Sequence, residues 1–132
     1  MDRLTQRLQD ARRAVTALMS ALAVPAPNEL ERDGSIQRFE FTYEAIWKAA
    51  QAYLETHEGL PSPSPRAVFR GLGKMGVLDE GETLLALEMV EDRNRTVHTY
   101  IEAVAREIFE KVPVYAPLLQ AIAERIQERL TR

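Results

Sequence analysis

The apolar residues at the start of the chain recur at helical spacing. They follow one another at intervals of four, three, four, three and four residues, which places them on one stripe of an α-helix. The stripe consists of Leu4, Leu8, Ala11, Val15, Leu18 and Leu22. Pro25 and Pro27 then end the pattern, because proline cannot continue a helix. The pattern predicts a first helix from about Asp2 to about Ala23.

A second helix is predicted to begin between Asn28 and Gly34 and to end near His57. Its inward face carries most of the aromatic side chains. The face consists of Ile36, Phe39, Tyr43, Ile46, Trp47, Ala50, Tyr53 and Leu54. We interpret this aromatic stripe as core packing and not as a cofactor site, since helical spacing is typical of a buried face.

A short third helix is predicted after the proline-rich connector 59–65. Ser64 is the expected N-cap, and Pro65 takes the first helical position, where its missing N–H group leaves no hydrogen bond unmade. Gly76 is the expected C-terminal cap. The predicted inward residues are Val68, Phe69, Leu72 and Met75.

A fourth helical stretch is predicted from near Asp79 to about Lys111, with a break near Thr99. The break is expected because Thr99 and Glu102 stand at the spacing of a capping box, which would start a new helix after His98. The apolar residues at the start of this stretch are Leu84, Leu85, Leu87, Met89 and Val90.

Pro113 and Pro117 are expected to separate this stretch from a final helix over about 114–130. The apolar face of the final helix consists of Leu118, Leu119, Ile122, Ile126 and Leu130. No long alternation of apolar and polar residues indicates a strand. The predicted fold is therefore all-α: an antiparallel up-and-down four-helix bundle with an extra short helix, in a single domain over 1–132.

Composition narrows the classes of function. Lys and Arg total 17 against 20 Asp and Glu, which gives a formal net charge of −3 and disfavours a protein that grips duplex nucleic acid through a broad basic face. Cysteine is absent, which excludes disulfides, thiolate catalysis and zinc–cysteine sites. The first residues lead into a charged amphipathic pattern, so we do not expect them to form a signal peptide, and no apolar run reaches the roughly 20 residues of a membrane span. We therefore expect a cytoplasmic protein without a membrane partner.

The residues that carry candidate chemistry lie together in segment 91–100. The guanidinium of Arg93, followed directly by the amide of Asn94, could clamp phosphate oxygens and stabilise the charge of a transition state. The imidazole of His98 could move the proton of a ribose hydroxyl near neutral pH without a metal. Tyr100 could contact a phosphate, orient His98 or itself receive a nucleotide. Arg93, Asn94 and His98 are therefore the candidate catalytic residues.

A straight helix does not aim these side chains at one point. At about 100° per residue, Arg93 and Tyr100 share one side, whereas Asn94 and His98 lie on a flank roughly 120° from Tyr100. Either the helix breaks near Thr99, or a second copy of the segment completes the site across a two-fold axis. We favour the second arrangement, because a C2 dimer would bring two arginines and two histidines into one groove.

Non-catalytic interpretations stay open for the same residues. Charged side chains on a helix usually form a solvated face, and those of segment 91–95 could pair locally. A lone histidine on a helix flank is more often a surface or capping group than a catalyst. The charges of Arg32–Asp33 and of segment 37–40 are interleaved with aromatic core positions, so they form either a buried ionic network or an interface.

Metal and cofactor sites are not predicted. His57 and His98 are too isolated to form a metal site with nearby acidic residues. The glycines of segment 71–76 have dinucleotide-binding spacing, but they follow a helix instead of a strand. The chain also lacks the Asp-x-Asp pair that follows Gly-Ser in the catalytic domain of nucleotidyltransferases.

Three blocks of the sequence together resemble the nucleotidyltransferase substrate-binding family, a branch of the HEPN superfamily of small helical bundles. The blocks are RDGSIQRFEFTYEAIWK over 32–48, SPRAVFR over 64–70 and EDRNRTVHTY over 91–100. The resemblance extends from about Leu4 to about Leu130. It implies a bundle that dimerises and that works beside a separately encoded minimal nucleotidyltransferase, in a module of toxin–antitoxin type in related members.

The resemblance also implies roles for single residues. The superfamily's signature of a metal-independent endoribonuclease falls on Arg93, Asn94 and His98. The tyrosine that receives AMP from the transferase in related pairs falls on Tyr100. Family members often have Asn or Asp after that tyrosine, whereas Ile101 follows it here.

Arg38 and Arg95 lie inside two of these blocks, and we take them as further candidates for contact with a nucleotide or with the partner protein. The first predicted function is an accessory subunit, or a target of AMP transfer, of a minimal nucleotidyltransferase. The alternatives are a ribonuclease toxin acting at a dimer cleft and a purely structural homodimer. The expected partners are the transferase, a second copy of the chain, and a nucleotide or RNA.

Overall fold

Five α-helices make up the computed structural model, which describes residues 2–132. A single 3-10 turn lies between the fourth and fifth helices, and the described residues contain no strand. The elements are α1 (Arg3–Leu22), α2 (Glu29–His57), α3 (Pro65–Lys74), α4 (Glu80–Arg95), the 3-10 turn Thr96–His98, and α5 (Glu102–Leu130). The predicted all-α antiparallel bundle with an extra short helix is confirmed.

Side-chain caps begin four of the helices, because the first backbone N–H groups of a helix have no partner inside it. Asn28 and Asp79 each accept a hydrogen bond from a backbone N–H three residues later, and the glutamate there accepts one in return from the backbone of the cap. Asp2 and Ser64 cap α1 and α3. Each such cap stabilises its helix by about 1 kcal/mol.

The C-terminus of α3 confirms the predicted glycine cap. Gly76 has a φ of 75°, a left-handed conformation that is favourable for glycine. The backbone N–H of Gly76 donates to the carbonyl of Gly73, and that of Val77 donates to the carbonyl of Leu72. This pair of bonds is the Schellman arrangement, which satisfies carbonyls that the helix leaves free.

Helices α1, α2 and α5 pack against one another. Helices α3 and α4 pack as a pair, α3 against α2 and α4 against α5. The core between them is apolar and aromatic. Its largest fully buried side chains include Phe39, Tyr53, Phe69, Met89 and Tyr115. No helix within residues 2–132 is both long enough and apolar enough to cross a membrane.

The prediction that Pro113 and Pro117 separate two helices is wrong, since α5 runs through both. Each proline removes a hydrogen bond and crowds the preceding turn, at a cost of about 3 kcal/mol. The buried residues on both sides nevertheless lie on one continuous face: Ala105, Ile108, Val112, Tyr115, Ala116, Leu119, Ile122 and Ile126. The prolines are exposed, so the burial of this face outweighs the missing bonds.

The break near Thr99 is confirmed, but its predicted capping box is wrong. Helix α4 ends at Arg95, and α5 begins after Ile101, whose side chain gives no cap. The hydroxyl of Thr99 donates instead to the carbonyl of Thr96, at 2.9 Å. Threonine hydroxyls often compete in this way with the backbone bonds of a helix.

Candidate functional site

The predicted site residues of segment 91–100 lie in two adjacent places: Arg93, Asn94 and Arg95 in the last turn of α4, and His98 and Tyr100 in the connection between α4 and α5. Thr96 begins the 3-10 turn, and its hydroxyl lies 2.7 Å from the carbonyl oxygen of Arg93. The connection presents apolar side chains to solvent as well: Val97 is 65 % exposed, Tyr100 80 % and Ile101 45 %. The side chains of Val97, Tyr100 and Ile101 are therefore accessible at the surface.

Arg93 is directed toward α2. Its Nη1 donates to the hydroxyl of Thr96 at 2.8 Å and lies 3.3 Å from Oε2 of Glu40. The same Glu40 oxygen accepts a hydrogen bond from the hydroxyl of Thr96, at 3.0 Å. The guanidinium carbon lies 6.0 Å from the centre of the Tyr43 ring, a distance suited to a cation–π interaction. Arg93 is thus held by three side chains.

His98 and Tyr100 form a separate pair on the surface. Nδ1 of His98 lies 3.4 Å from the hydroxyl oxygen of Tyr100. The two rings meet edge to face, with centroids 5.9 Å apart. Asn94 is also exposed, and its side chain makes no hydrogen bond within residues 2–132. An imidazole and a phenol therefore lie side by side at the surface.

Arg93 and His98 do not share a contact within one chain. The side chain of Arg93 contacts Glu40, Thr96 and Tyr43, whereas that of His98 contacts Tyr100. The helix breaks as one of the two predicted arrangements requires, yet the break leaves these side chains in different surroundings. A site that uses both within a two-fold dimer stays a prediction.

Arg95 belongs to a network that holds the end of α4 against α5. Its guanidinium is paired with Glu107 and lies 3.4 Å from Oδ1 of Asp92. The hydrogen bond to Glu107 raises the pKa of Arg95, while partial burial opposes that rise. Asp92 is buried and accepts a hydrogen bond from the hydroxyl of Tyr115. This use of Arg95 is structural, and contact with a nucleotide would require it to leave these carboxylates.

The charged side chains along α2 are of two kinds: some form ion pairs with another helix, and others are exposed without an ion pair. Arg32 is almost buried and joins α2 to the start of α5, since its Nη1 lies 2.6 Å from Glu102 and its Nη2 lies 3.0 Å from Asp33. The bond from Arg32 is the main cause that lowers the pKa of Glu102. Arg38 is exposed and has no ion pair in the described part of the chain, so it is open to a partner.

Sequence reasoning missed Glu40, Thr96 and Tyr43 as the surroundings of Arg93. Glu40 precedes the exposed Phe41 and follows the buried Phe39, so it stands at the border of the core face of α2. A carboxylate at the edge of a buried helix face indicates an ion pair with a cation on a neighbouring helix. Which cation it meets depends on how α2 packs against α4.

The exposed residues at the end of α4 and in its connection to α5 include the polar and aromatic side chains of Asn94, His98 and Tyr100. Within residues 2–132, no group of three or more histidine, aspartate or glutamate side chains is arranged to hold a metal ion.

The chain belongs to the family described as nucleotidyltransferase substrate binding protein like, whose model matches residues 6–128. It is similar to a protein of Thermus thermophilus with a crystal structure. The two share 46 % sequence identity with a TM-score of 0.85, over 88 % of this chain and 98 % of that one. No curated protein matches the sequence. The resemblance carried by the three sequence blocks is thereby confirmed at the level of this family.

Proposed function

We propose that this protein is the accessory partner of a separately encoded minimal nucleotidyltransferase and that the hydroxyl of Tyr100 accepts the nucleotide. The exposure of Tyr100 carries the proposal. Of the four tyrosines in the chain, Tyr43, Tyr53 and Tyr115 are buried, whereas Tyr100 is 80 % exposed. An enzyme can therefore reach this phenol without unfolding the bundle.

The neighbouring imidazole suits the transfer. The phenol oxygen of Tyr100 would attack the α-phosphorus of a nucleoside triphosphate, forming a phosphodiester while the bond to pyrophosphate breaks. The phenol proton would pass to Nδ1 of His98, which lies 3.4 Å away and can accept a proton when neutral. The transferase would hold the triphosphate and its metal ions, for which residues 2–132 of this chain have no acidic cluster.

The exposed apolar residues beside Tyr100 support docking of a protein partner at the same place. Val97 and Ile101 are 65 % and 45 % exposed, and exposed apolar groups gathered in one short segment are a common feature of interaction surfaces. Arg38, exposed and without an ion pair in the described chain, is a further candidate contact. We propose that the two proteins form a two-component module of toxin–antitoxin type within the HEPN superfamily.

Mass spectrometry of the intact protein tests the proposal. Incubation with the transferase and ATP should add the mass of one nucleotide to the chain, and Tyr100→Phe should abolish the addition. His98→Ala should slow it, whereas His57→Ala, at the far end of α2, should not. Failure of the two proteins to form a complex, or addition that persists in Tyr100→Phe, would overturn the proposal.

A metal-independent ribonuclease is the second candidate, favoured by the exposure of both Asn94 and His98. It has less support, because Arg93 is engaged by Glu40 and Thr96 and would need to turn toward a phosphate near His98. A dimer of the predicted two-fold kind would have to complete this site. Cleavage of RNA in the presence of EDTA, lost in His98→Ala, would establish this activity, and intact RNA under those conditions would exclude it.

A further inference from the structure

The connection between α4 and α5, residues 96–101, is tied to α2 at both of its ends. At its start, the hydroxyl of Thr96 donates to Oε2 of Glu40 at 3.0 Å. Directly after it, Oε1 of Glu102 accepts a hydrogen bond from Nη1 of Arg32 at 2.6 Å. Glu40 and Arg32 are eight residues apart in α2, which is about 12 Å along the helix axis. A single helix therefore holds the connection at two points.

Between these two points, the side chains of the connection bond only to the connection itself. The hydroxyl of Thr99 donates to the carbonyl of Thr96, and His98 contacts Tyr100. In the part of the chain that the structure describes, no side chain of residues 97–101 makes a hydrogen bond or an ion pair to another helix. The placement of His98 and Tyr100 therefore depends on how the two ends are held.

The contacts with α2 stand where helix caps are missing. Helices α1 to α4 each begin with a side-chain cap, whereas neither the 3-10 turn nor α5 does. The first N–H groups of α5 therefore lack the side-chain acceptor that stabilises a helix start. Arg32 contacts Glu102 in this first turn instead, and its own guanidinium is held on α2 by Asp33 at 3.0 Å.

We propose that Arg32 and Glu40 are positioning residues for nucleotide transfer to Tyr100, because they hold both ends of the connection that carries it. The inference rests on the proposed function and adds the residues that keep the accepting phenol in place. Neither side chain contacts Tyr100 or His98. Holding a reacting group in the right geometry lowers the barrier to its reaction, so a connection released at one end should be a poorer acceptor.

Hydrogen exchange of the full chain, followed by mass spectrometry, tests whether α2 holds the connection. The backbone N–H groups of Thr99 and Ile101 are hydrogen-bonded within it, so their exchange reports its opening. Arg32→Gln should speed this exchange about two- to fivefold, the effect of losing one partly exposed ion pair. Arg106→Gln is the matched control, because Arg106 lies 3.5 Å from the same oxygen of Glu102 but belongs to α5. It should leave the exchange unchanged.

The rate of nucleotide addition by the transferase tests the positioning role. Its kcat should fall up to about fivefold in Arg32→Gln, as the held population of the connection decreases, and it should fall in Glu40→Ala as well. Glu44→Ala is the control for Glu40→Ala. It removes an equal charge one turn further along α2, where the carboxylate contacts Trp47 and Lys48, and it should leave kcat unchanged.

A double variant assigns the effect to the contact between Arg32 and Glu102. Since each residue acts through the other, Arg32→Gln combined with Glu102→Gln should be no slower than the slower single variant. If Arg32→Gln does not fold, as judged by its circular dichroism melt, Glu102→Gln replaces it. That side chain is 51 % exposed, and its loss breaks the same contact.

The outcomes separate this inference from the proposed function. Equal hydrogen exchange in Arg32→Gln and Arg106→Gln would overturn the inference, as would normal addition to both Arg32→Gln and Glu40→Ala. A slower addition without faster exchange in residues 97–101 would assign the effect to a general loss of stability and would also overturn it. An unsubstituted chain that accepts no nucleotide would refute the proposed function itself.

Discussion

The hydroxyl of Tyr115 donates a hydrogen bond to the carboxylate of Asp92, and both groups are buried between α4 and α5. Burial is the main cause that raises the pKa of Tyr115, and the hydrogen bond to Asp92 adds to it. The phenol is therefore a neutral donor at any ordinary pH. The bond ties the last turn of α4, which also carries Arg93, to α5, next to the connection that carries His98 and Tyr100.

Removing this hydroxyl should destabilise the protein. Tyr115→Phe leaves the Asp92 carboxylate buried with one acceptor unsatisfied, which costs about 1–3 kcal/mol of unfolding free energy. Urea denaturation measures the change. Tyr100→Phe is the matched control and should change stability by less than about 0.5 kcal/mol, because that side chain is exposed. Equal stability of the two variants would contradict the account of the Asp92 bond.

The ion pair between Glu82 and Arg125 should make stability depend on pH. The hydrogen bond from Arg125, at 2.8 Å, is the main cause that lowers the pKa of Glu82 below 4.5. A carboxylate with a lowered folded-state pKa contributes stability above its unfolded pKa and loses it as the pH falls through the folded one. Unfolding should therefore become easier below pH 4.5, partly through this group.

Glu82→Gln should reduce the acid sensitivity, and it retains a side chain that can still complete the capping box of α4. The measurement is the melting temperature as a function of pH. Glu80→Gln, in the same first turn of α4 and exposed, removes an equal charge and should leave the slope unchanged. An unaltered slope in Glu82→Gln would show that the acid sensitivity arises elsewhere.

Two glycines should respond in opposite directions to alanine. A Cβ at Gly73 would lie 2.6 Å from Oγ1 of Thr83, where α3 and α4 approach closely, whereas a Cβ at Gly34 would meet nothing within 4 Å. Gly73→Ala should therefore lower the melting temperature. Gly34→Ala, inside α2, should raise stability by about 0.5–1 kcal/mol, because alanine favours a helix more than glycine does.

Thr83→Ala tests the cause of the first effect. It removes the side-chain atoms that the new Cβ would contact. Gly73→Ala should therefore cost less stability when it is made in the Thr83→Ala variant than when it is made in the unsubstituted chain. Strict additivity of the two changes would rule out a direct steric clash.

Replacing an exposed proline inside α5 by alanine should increase the free energy of unfolding. Pro117→Ala restores a backbone N–H for the carbonyl four residues earlier, and the gain of up to about 3 kcal/mol is reduced by the greater freedom of the unfolded chain. We expect a net increase of about 1–2 kcal/mol in the free energy of unfolding, measured by heat or urea. Pro65→Ala is the control, since Pro65 occupies the first turn of α3, where proline is favourable, and it should not stabilise.

The caps and stripes of α1, α2 and α3 could be predicted from the sequence because their causes are local. Ser64 with Pro65, and the spacing of the apolar residues in α1, depend on neighbours within a few positions. The same local reasoning failed at Pro113 and Pro117, where the packing of a whole helix face outweighs a local penalty. It also failed at Thr99, whose hydroxyl found a carbonyl in the preceding turn instead of capping α5.

By itself, the sequence determined the all-helical architecture, most helix boundaries, the family and the segment that carries Arg93, His98 and Tyr100. Apolar spacing and helix capping depend on residues that are close in the chain, so they can be recognised from the sequence alone. Only the tertiary structure decided that Arg93 faces Glu40 across two helices while Tyr100 stands in solvent. Contacts between residues far apart in the chain, such as this one between Arg93 and Glu40, depend on how α2 and α4 are placed against each other, which no local pattern specifies.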